Sequence, residues 1–340
     1  MIGVCGYLCI DLIPNLGELP FAYNAGELRE VSAIDGNPGG AVGNTGGALC
    51  KLEVPCKLGA LTGNDIFAKV LQNSMEEIAK DTCKIIFKSI PNQSSGYAIV
   101  LAPKNQDRMF LACRGANDLI DSQSFNGDFL NDLTIIHFGY PPLCQKIAQN
   151  NGEELRKYFA LANQKNILTS LDMSLPSPGT FSYDIDWIKY LTNVLPTVDL
   201  FCPSIDEIRF MLKDNNSSPQ ELAEKLLSFN CGAVLLKLGA NGMIFLSNKD
   251  KNRCAIFNNL TAKSWENTFC SILPYPCKVV GTTGAGDSAI AGFLAGLYSK
   301  FDPLSCLKLA SRIAAYRIAA GGKLSGIPNL ETIMKKGFEQ

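Results

Sequence analysis

Short, continuously apolar runs alternate with longer helical patterns along almost the whole chain. Residues 2–5, 56–61, 133–138, 167–172, 200–202, 233–237, 243–246 and 277–280 read as strands. Apolar residues at helical spacing mark residues 43–52, 66–79, 153–163, 184–194, 204–212, 219–228, 287–298 and 303–320 as helices. A sheet with one wet face alternates apolar and polar residues, whereas several of these runs are apolar throughout and need cover on both faces. The alternation therefore predicts an α/β fold, with a central, mostly parallel sheet flanked by helices on either side.

Two stretches break the rhythm. Residues 12–36 carry turn residues and short mixed runs. Residues 96–115 hold two strand-like runs around Pro103-Lys104-Asn105-Gln106-Asp107, a hairpin pattern. Together they predict a small β-sheet projecting from the main one, a lid. Residues 247–276 are polar and irregular and read as an insertion or peripheral hairpin. No interdomain linker is evident, so residues 1–340 are taken as a single domain.

Composition narrows the function classes. With 31 basic and 32 acidic residues the net charge is −1, which favours neither nucleic acid nor an anionic membrane. No apolar run approaches the ~18 residues of a membrane span. No basic leader precedes the first strand, so a cytoplasmic protein without a signal peptide is expected. The 13 cysteines include no C-x2-C pair and there is one histidine, whereas a zinc site needs closer ligand spacing. Most cysteines, such as Cys5, Cys113 and Cys202, lie in apolar segments and read as reduced, structural thiols. His137 closes an apolar run and reads as a hydrogen-bonded strand-end histidine.

The chemistry concentrates at Gly281-Thr282-Thr283-Gly284-Ala285-Gly286-Asp287, between an apolar run and a small-residue helix. Backbone N–H groups at a helix N-terminus bind anions through unpaired donors and the dipole, and glycines let the anion come close. A carboxylate beside such a hole can take a proton from an attacking hydroxyl. This points to phosphoryl transfer to an alcohol. Two other readings stand on these residues alone. One is a tight strand-to-helix turn with an acidic first-turn residue. The other is a dinucleotide fingerprint, G-x-G-x-x-A ending at Ala289, although too little chain follows for that sheet and Asp287 would sit among phosphates.

This segment resembles the second signature of the PfkB, or ribokinase-like, carbohydrate kinases. Gly39-Gly40-Ala41-Val42-Gly43-Asn44-Thr45-Gly46-Gly47-Ala48 resembles the first signature, and Leu58-Gly59-Ala60-Leu61-Thr62-Gly63-Asn64-Asp65-Ile66-Phe67 is similar to the stretch that follows it. The signatures stand in the family's order near opposite ends of the chain. The resemblance implies a ribokinase-like three-layer α/β/α fold with a small β lid. It also implies an ATP- and Mg²⁺-dependent kinase acting on a hydroxyl of a small sugar or sugar derivative. Asp287 then looks like the catalytic base, with the N–H groups of Gly284, Ala285 and Gly286 as the anion hole. Asp11, Gly39, Gly40 and Asn44 match substrate-binding positions. Pro203-Ser204-Ile205-Asp206-Glu207 resembles the N-x-x-E motif, which makes Glu207 the Mg²⁺-organising carboxylate. Lys237-Leu238-Gly239-Ala240-Asn241-Gly242 resembles the nucleotide loop, so Lys237, Gly239, Gly242 and Ser204 are ATP-side residues; in isolation that loop is equally a hairpin turn.

Some relatives bind K⁺ near the glycine loop, which raises K⁺ as a further ion, and some dimerise through the lid, which raises a homodimer. Two departures stand out. Gly281 stands where the family often has Asp or Asn, so any role of that side chain is absent, and Ser204 replaces the usual Asn, so weaker metal and ATP affinity is expected. Arg114, at a turn resembling the family's G-A-N, reads as a solvated arginine, with a charged substrate as its alternative partner. The remaining alternatives are a nucleoside kinase of the same fold, with Phe21, Tyr23 or Phe110 as stacking surfaces, a non-catalytic sugar-binding or regulatory homologue, and last an NAD-linked oxidoreductase.

Overall fold

The computed structural model describes residues 1–16, 25–28, 30–101, 109–335 and 337. Its organising unit is visible in the first strand, β1 (Ile2–Gly6), which is buried along its whole length. Val4 enters one hydrophobic layer and Cys5 the other, because successive strand residues point to opposite faces. The same division recurs at Leu200 and Phe201 and at Leu235 and Leu236. The sheet is therefore apolar on both sides, which is why its strands read as continuous apolar runs.

The remaining strands are β2 (Cys9–Pro14), β3 (Ile34–Gly39), β4 (Cys56–Thr62), β5 (Cys83–Ser89), β6 (Tyr97–Leu101), β7 (Met109–Cys113), β8 (Ile135–Gly139), β9 (Leu168–Asp172), β10 (Leu200–Phe201), β11 (Ala233–Lys237), β12 (Met243–Ser247) and β13 (Phe269–Ile272). The large sheet has nine strands in the order β13-β12-β11-β10-β9-β8-β1-β4-β5. It is parallel from β5 to β11, while β12 runs antiparallel to both its neighbours, β11 and β13. The small sheet is β3-β2-β6-β7, with β6 and β7 forming the expected hairpin. The hairpin's turn at 102–108 lies outside the described residues, as does the stretch 17–24 between β2 and β3.

The helices are α1 (Gly47–Lys51), α2 (Ile66–Ala79), α3 (Gln145–Ala148), α4 (Glu153–Gln164), α5 (Trp187–Val194), α6 (Ile205–Leu212), α7 (Pro219–Ser228), α8 (Lys251–Thr261), α9 (Ala285–Tyr298), α10 (Pro303–Ala319) and α11 (Leu330–Lys335). Helices α1, α2, α8, α9 and α10 cover one face of the sheet, and α4, α5, α6 and α7 the other. Helix α9 can approach α10 closely because Gly292 has no side chain; a Cβ there would lie 2.9 Å from the Ala310 Cα. An aromatic group fixes the same helix: Phe293 stacks on Phe245 at 5.5 Å, and Trp265 lies on Phe257 at 5.0 Å. Such pairs are worth about 0.5–1.5 kcal/mol each beyond their burial. None of the described helices is long and apolar enough to cross a membrane.

Three expectations are corrected. Residues 277–280 are not a strand; they run as exposed irregular chain, with Val279 and Val280 at 70% and 59% exposure, and the edge position is taken by β13. The segment 247–276 is not loose either. It holds α8, whose buried Cys254, Phe257 and Thr261 form a narrow stripe at helical spacing, and then β13. Strand β5 extends the sheet beyond β4 and was not anticipated.

Candidate active site

The C-terminal ends of the parallel strands deliver the polar groups, as open α/β sheets commonly do. Asp172 ends β9, Lys237 ends β11 and Tyr140 directly follows β8. Opposite them, Gly284 caps α9 in the left-handed conformation, φ 70°, where a Cβ would fall 2.7 Å from the Arg317 guanidinium. This turn places Asp287 in the first turn of α9, and within it the Ala285 N–H donates to the Thr282 carbonyl at 3.2 Å. The position of Gly281 has a steric cause: a Cβ there would meet the Gly321 backbone at 2.9 Å.

Asp287 is only 5% exposed. Its Oδ1 accepts from the Thr45 hydroxyl at 3.1 Å and the Tyr140 phenol at 2.8 Å, and its Oδ2 accepts from the same phenol at 2.8 Å. Burial raises the Asp287 carboxyl above its ordinary value of 3.8, against the opposing pull of Lys237, Tyr140, Thr45 and Arg317. Burial also raises the Tyr140 phenol, helped by the charges of Asp287 and Asp172, so it stays a donor.

Lys237 bonds Asp172 Oδ1 at 2.7 Å, with side chains 11% and 2% exposed. Burial alone would pull the ammonium down; the charges of Asp172, Glu207 and Asp287 outweigh it and hold Lys237 above its usual value. Burial, reinforced by the carboxylates of Glu207 and Asp287 against the pull of Lys237, raises Asp172. The Lys237 amine lies 3.6 Å from where a Gly286 Cβ would stand, so a cation borders the α9 N-terminus.

A cavity of about 1080 Å³ unites most of the predicted site. Its walls include Ser204, Glu207, Lys237, Gly239, Gly242, Ala285, Gly286 and Asp287. Tyr275, Val279, Ala314 and Ile318 make an apolar end. Gly239 and Gly242 flank the tight turn between β11 and β12, so the loop is both a hairpin turn and a cavity wall. Ser204 and Glu207 form a capping box on α6: the Ser204 N–H donates to Glu207 Oε2 at 2.7 Å, and the Ser204 hydroxyl accepts from the Glu207 N–H at 3.4 Å. The oxygen-only donors Glu207, Asp172 and Asp287 suit Mg²⁺, a hard cation, and the capping bond occupies only one Glu207 oxygen.

The other predicted residues are not part of the cavity wall. Asn44, on the helical turn Val42–Gly46, accepts through Oδ1 from Arg317 Nη2 at 3.0 Å, next to Gly284. Asp11 stands on β2, where its Oδ1 accepts from the Cys9 thiol at 3.3 Å, and Gly39 leaves room for its carboxylate. Gly40, φ 73°, turns the chain against the Tyr7 carbonyl. Arg114 is partly exposed, pairs with Asp118 at 2.9 Å and lies 4.7 Å over the Phe181 ring. His137 bonds Ser170 through Nδ1 at 2.9 Å while its Nε2 has no hydrogen-bond partner among the described residues; burial, then the nearby Lys237, hold it neutral, down to about 3. Sequence reasoning missed Thr45, Tyr140, Asp172 and Arg317. The available signals were an arginine in the small-residue helix α10 and an acid ending an apolar strand.

Comparison with known proteins bears on the fold and the family. The model of the pfkB family of carbohydrate kinases matches residues 1–330. A probable fructokinase-5 of Arabidopsis thaliana is 24% identical over 86% of this chain and 81% of its own. The solved ribokinase of Arabidopsis thaliana, complexed with ribose and ATP, superimposes with a TM-score of 0.74 at 17% identity, over 98% of this chain and 97% of that one. A Burkholderia thailandensis nucleoside kinase in complex with inosine gives 0.69 at 17% identity, over 100% and 98%. This chain belongs to the pfkB family of carbohydrate kinases, enzymes that transfer phosphate to hydroxyl groups.

Proposed function

We propose that the chain phosphorylates a hydroxyl of a small sugar or sugar derivative with ATP, using Asp287 as the base. The observation that carries this reading is a buried carboxylate in the first turn of α9, in one cavity with Lys237 and the glycine-rich turn. The acceptor hydroxyl gives its proton to Asp287 as its oxygen bonds the terminal phosphorus of ATP and the bond to ADP breaks. Oδ2 is the accepting oxygen, because Oδ1 already holds two donors and Oδ2 one. The N–H groups at Gly284, Ala285 and Gly286 and the Lys237 ammonium face the charge on the transferring phosphoryl group. Glu207 would hold Mg²⁺ through its waters, which supplies charge neutralisation on the phosphates. The apolar end at Tyr275, Val279, Ala314 and Ile318 suits the nucleobase of ATP.

Asp11, Gly39, Gly40 and Asn44 are assigned to the acceptor, with the small sheet as a lid that excludes water. The exposed Met109, Phe110 and Leu111 of β7 support a homodimer through that sheet. A nucleoside acceptor is the second reading, supported by the half-exposed Phe110 ring; Phe21 and Tyr23 lie outside the described residues. ATP consumption is to be measured across hexoses, pentoses, sugar acids, sugar phosphates and nucleosides. Turnover with a sugar class supports the proposal and turnover confined to nucleosides supports the second reading. Consumption with none of them points to a non-catalytic homologue.

A further inference from the structure

The sulfurs of Cys50, Cys56 and Cys83 converge within 4.8 Å of one another. They lie at the end of the sheet opposite the candidate active site, where β4 and β5 begin. Cys56 and Cys83 are directly paired residues on these parallel strands, and Cys50 comes from α1. The Cys50 and Cys56 sulfurs are 3.8 Å apart, and those of Cys56 and Cys83 are 2.7 Å apart. Cys50 and Cys56 are fully buried and Cys83 is 8% exposed, so the cluster reaches the surface on one side. The spacing along the chain hid this group, because no two of the three are close enough in sequence to read as ligands.

We propose that Cys50, Cys56 and Cys83 form a binding site for one soft d¹⁰ metal ion of the Cu(I) class. Sulfurs bound at about 2.3 Å to one ion stand about 3.8–4.0 Å from each other. Cys50 and Cys56 already have that separation, and Cys56 and Cys83 reach it by opening about 1 Å, which a small side-chain rotation supplies. A structural zinc site closes with four ligands. The other donors beside Cys83 are neutral oxygens, the Thr82 hydroxyl at 3.6 Å and the Val54 carbonyl at 3.8 Å. A set of three thiols with no fourth sulfur or histidine among the described residues suits a soft monovalent ion better than zinc. Each coordinating thiol releases its proton on binding. The bound ion would tie α1, β4 and β5 together and stabilise them by mass action.

The test uses the reduced full-length protein without oxygen, given Cu(I) in the presence of a competing Cu(I) chelator. One copper per chain is expected, with three sulfur neighbours by X-ray absorption. Cys56→Ser should weaken binding by more than about 100-fold, beyond the usual cost of losing an outer-shell partner. Cys113→Ser and Cys277→Ser should bind as the unmodified protein does. The proposal is overturned if copper is lost to the chelator, if Cys56→Ser retains it equally, or if fewer than three sulfurs are found. It is also overturned if Cys56 and Cys83 are recovered as a disulfide, two protons and two electrons poorer, with no metal taken up. Should Cys56→Ser fail to fold, the sulfur count in the unmodified protein decides. Turnover is not read, so the outcome is independent of the kinase reading.

Discussion

The Tyr140 phenol donates to both carboxylate oxygens of Asp287, each at 2.8 Å. Tyr140 holds this position with a left-handed backbone, φ 65° and ψ 49°, a conformation that costs a bulky residue on the order of 1–3 kcal/mol. Its backbone N–H is tied to the Asp172 carbonyl at 3.3 Å. On the proposed mechanism Tyr140 is a positioning residue that holds the orientation of the Asp287 carboxylate, while the Thr45 hydroxyl adds a second donor to Oδ1 only.

A pH profile tests this. The base must be ionised, so turnover is present above the Asp287 pKa and lost as pH falls through it. Burial raises that pKa, so the acid limb is expected above the ordinary value of 3.8. Tyr140→Phe removes a donor to the ionised form, and the limb should move up by about one pH unit or more. An unmoved limb in an active variant contradicts the positioning role. No limb should arise from His137, held neutral with its pKa down at about 3.

The pair Lys237–Asp172 separates stability from chemistry. Lys237→Met leaves Asp172 buried without its cation, which should cost about 3–5 kcal/mol. It should also abolish most turnover. Adding Asp172→Asn should restore much of the thermal stability and none of the turnover. Thermal unfolding and steady-state rates of the two variants check this, and a fully active Lys237→Met contradicts the electrostatic role.

Gly284→Ala tests the turn. The new Cβ must take φ 70° and meet the Arg317 guanidinium at 2.7 Å. A stability loss of about 1–2 kcal/mol is expected, and turnover should fall about tenfold or more as the N–H donors shift. Unchanged turnover would mean that these donors do not contact the phosphoryl group.

Glu207→Gln distinguishes the cap from the metal. Its side-chain carbonyl can still accept from the Ser204 N–H, so stability should stay within about 0.5 kcal/mol. The Mg²⁺ needed for half-maximal rate should rise about tenfold or more, because the charge is gone. Glu207→Ala should lose about 1 kcal/mol in addition. An unchanged Mg²⁺ requirement in Glu207→Gln contradicts the metal assignment.

Much of the architecture could be read from the chain, because buried parallel strands leave an unmistakable apolar pattern. What escaped was marginal in the same terms. Strand β5 is only partly buried at the sheet edge, and its short run Ile85-Ile86-Phe87 is flanked by Lys84 and Lys88. Helix α8 buries only a narrow stripe within a polar segment. Val279 and Val280 are as apolar as a strand, yet they are exposed and no described strand pairs with them, so hydrophobicity alone misplaced them. Asp287 and its glycines were conspicuous because their spacing is local. Thr45, Tyr140 and Arg317 stand 242, 147 and 30 residues from Asp287 and reach the site through contacts that only the folded sheet and helix pair create. Ser204 and Glu207 were visible as a motif, whereas their mutual capping bonds appeared only in the structure.

The central claim is that Asp287 removes the acceptor's proton. It is tested most directly by the single-turnover rate of Asp287→Asn with the best acceptor from the substrate screen, alongside ATP binding. A fall of about 10²–10⁴-fold, the usual range for losing a general base, is expected with ATP affinity largely kept. Near-normal phosphoryl transfer by Asp287→Asn would contradict the account.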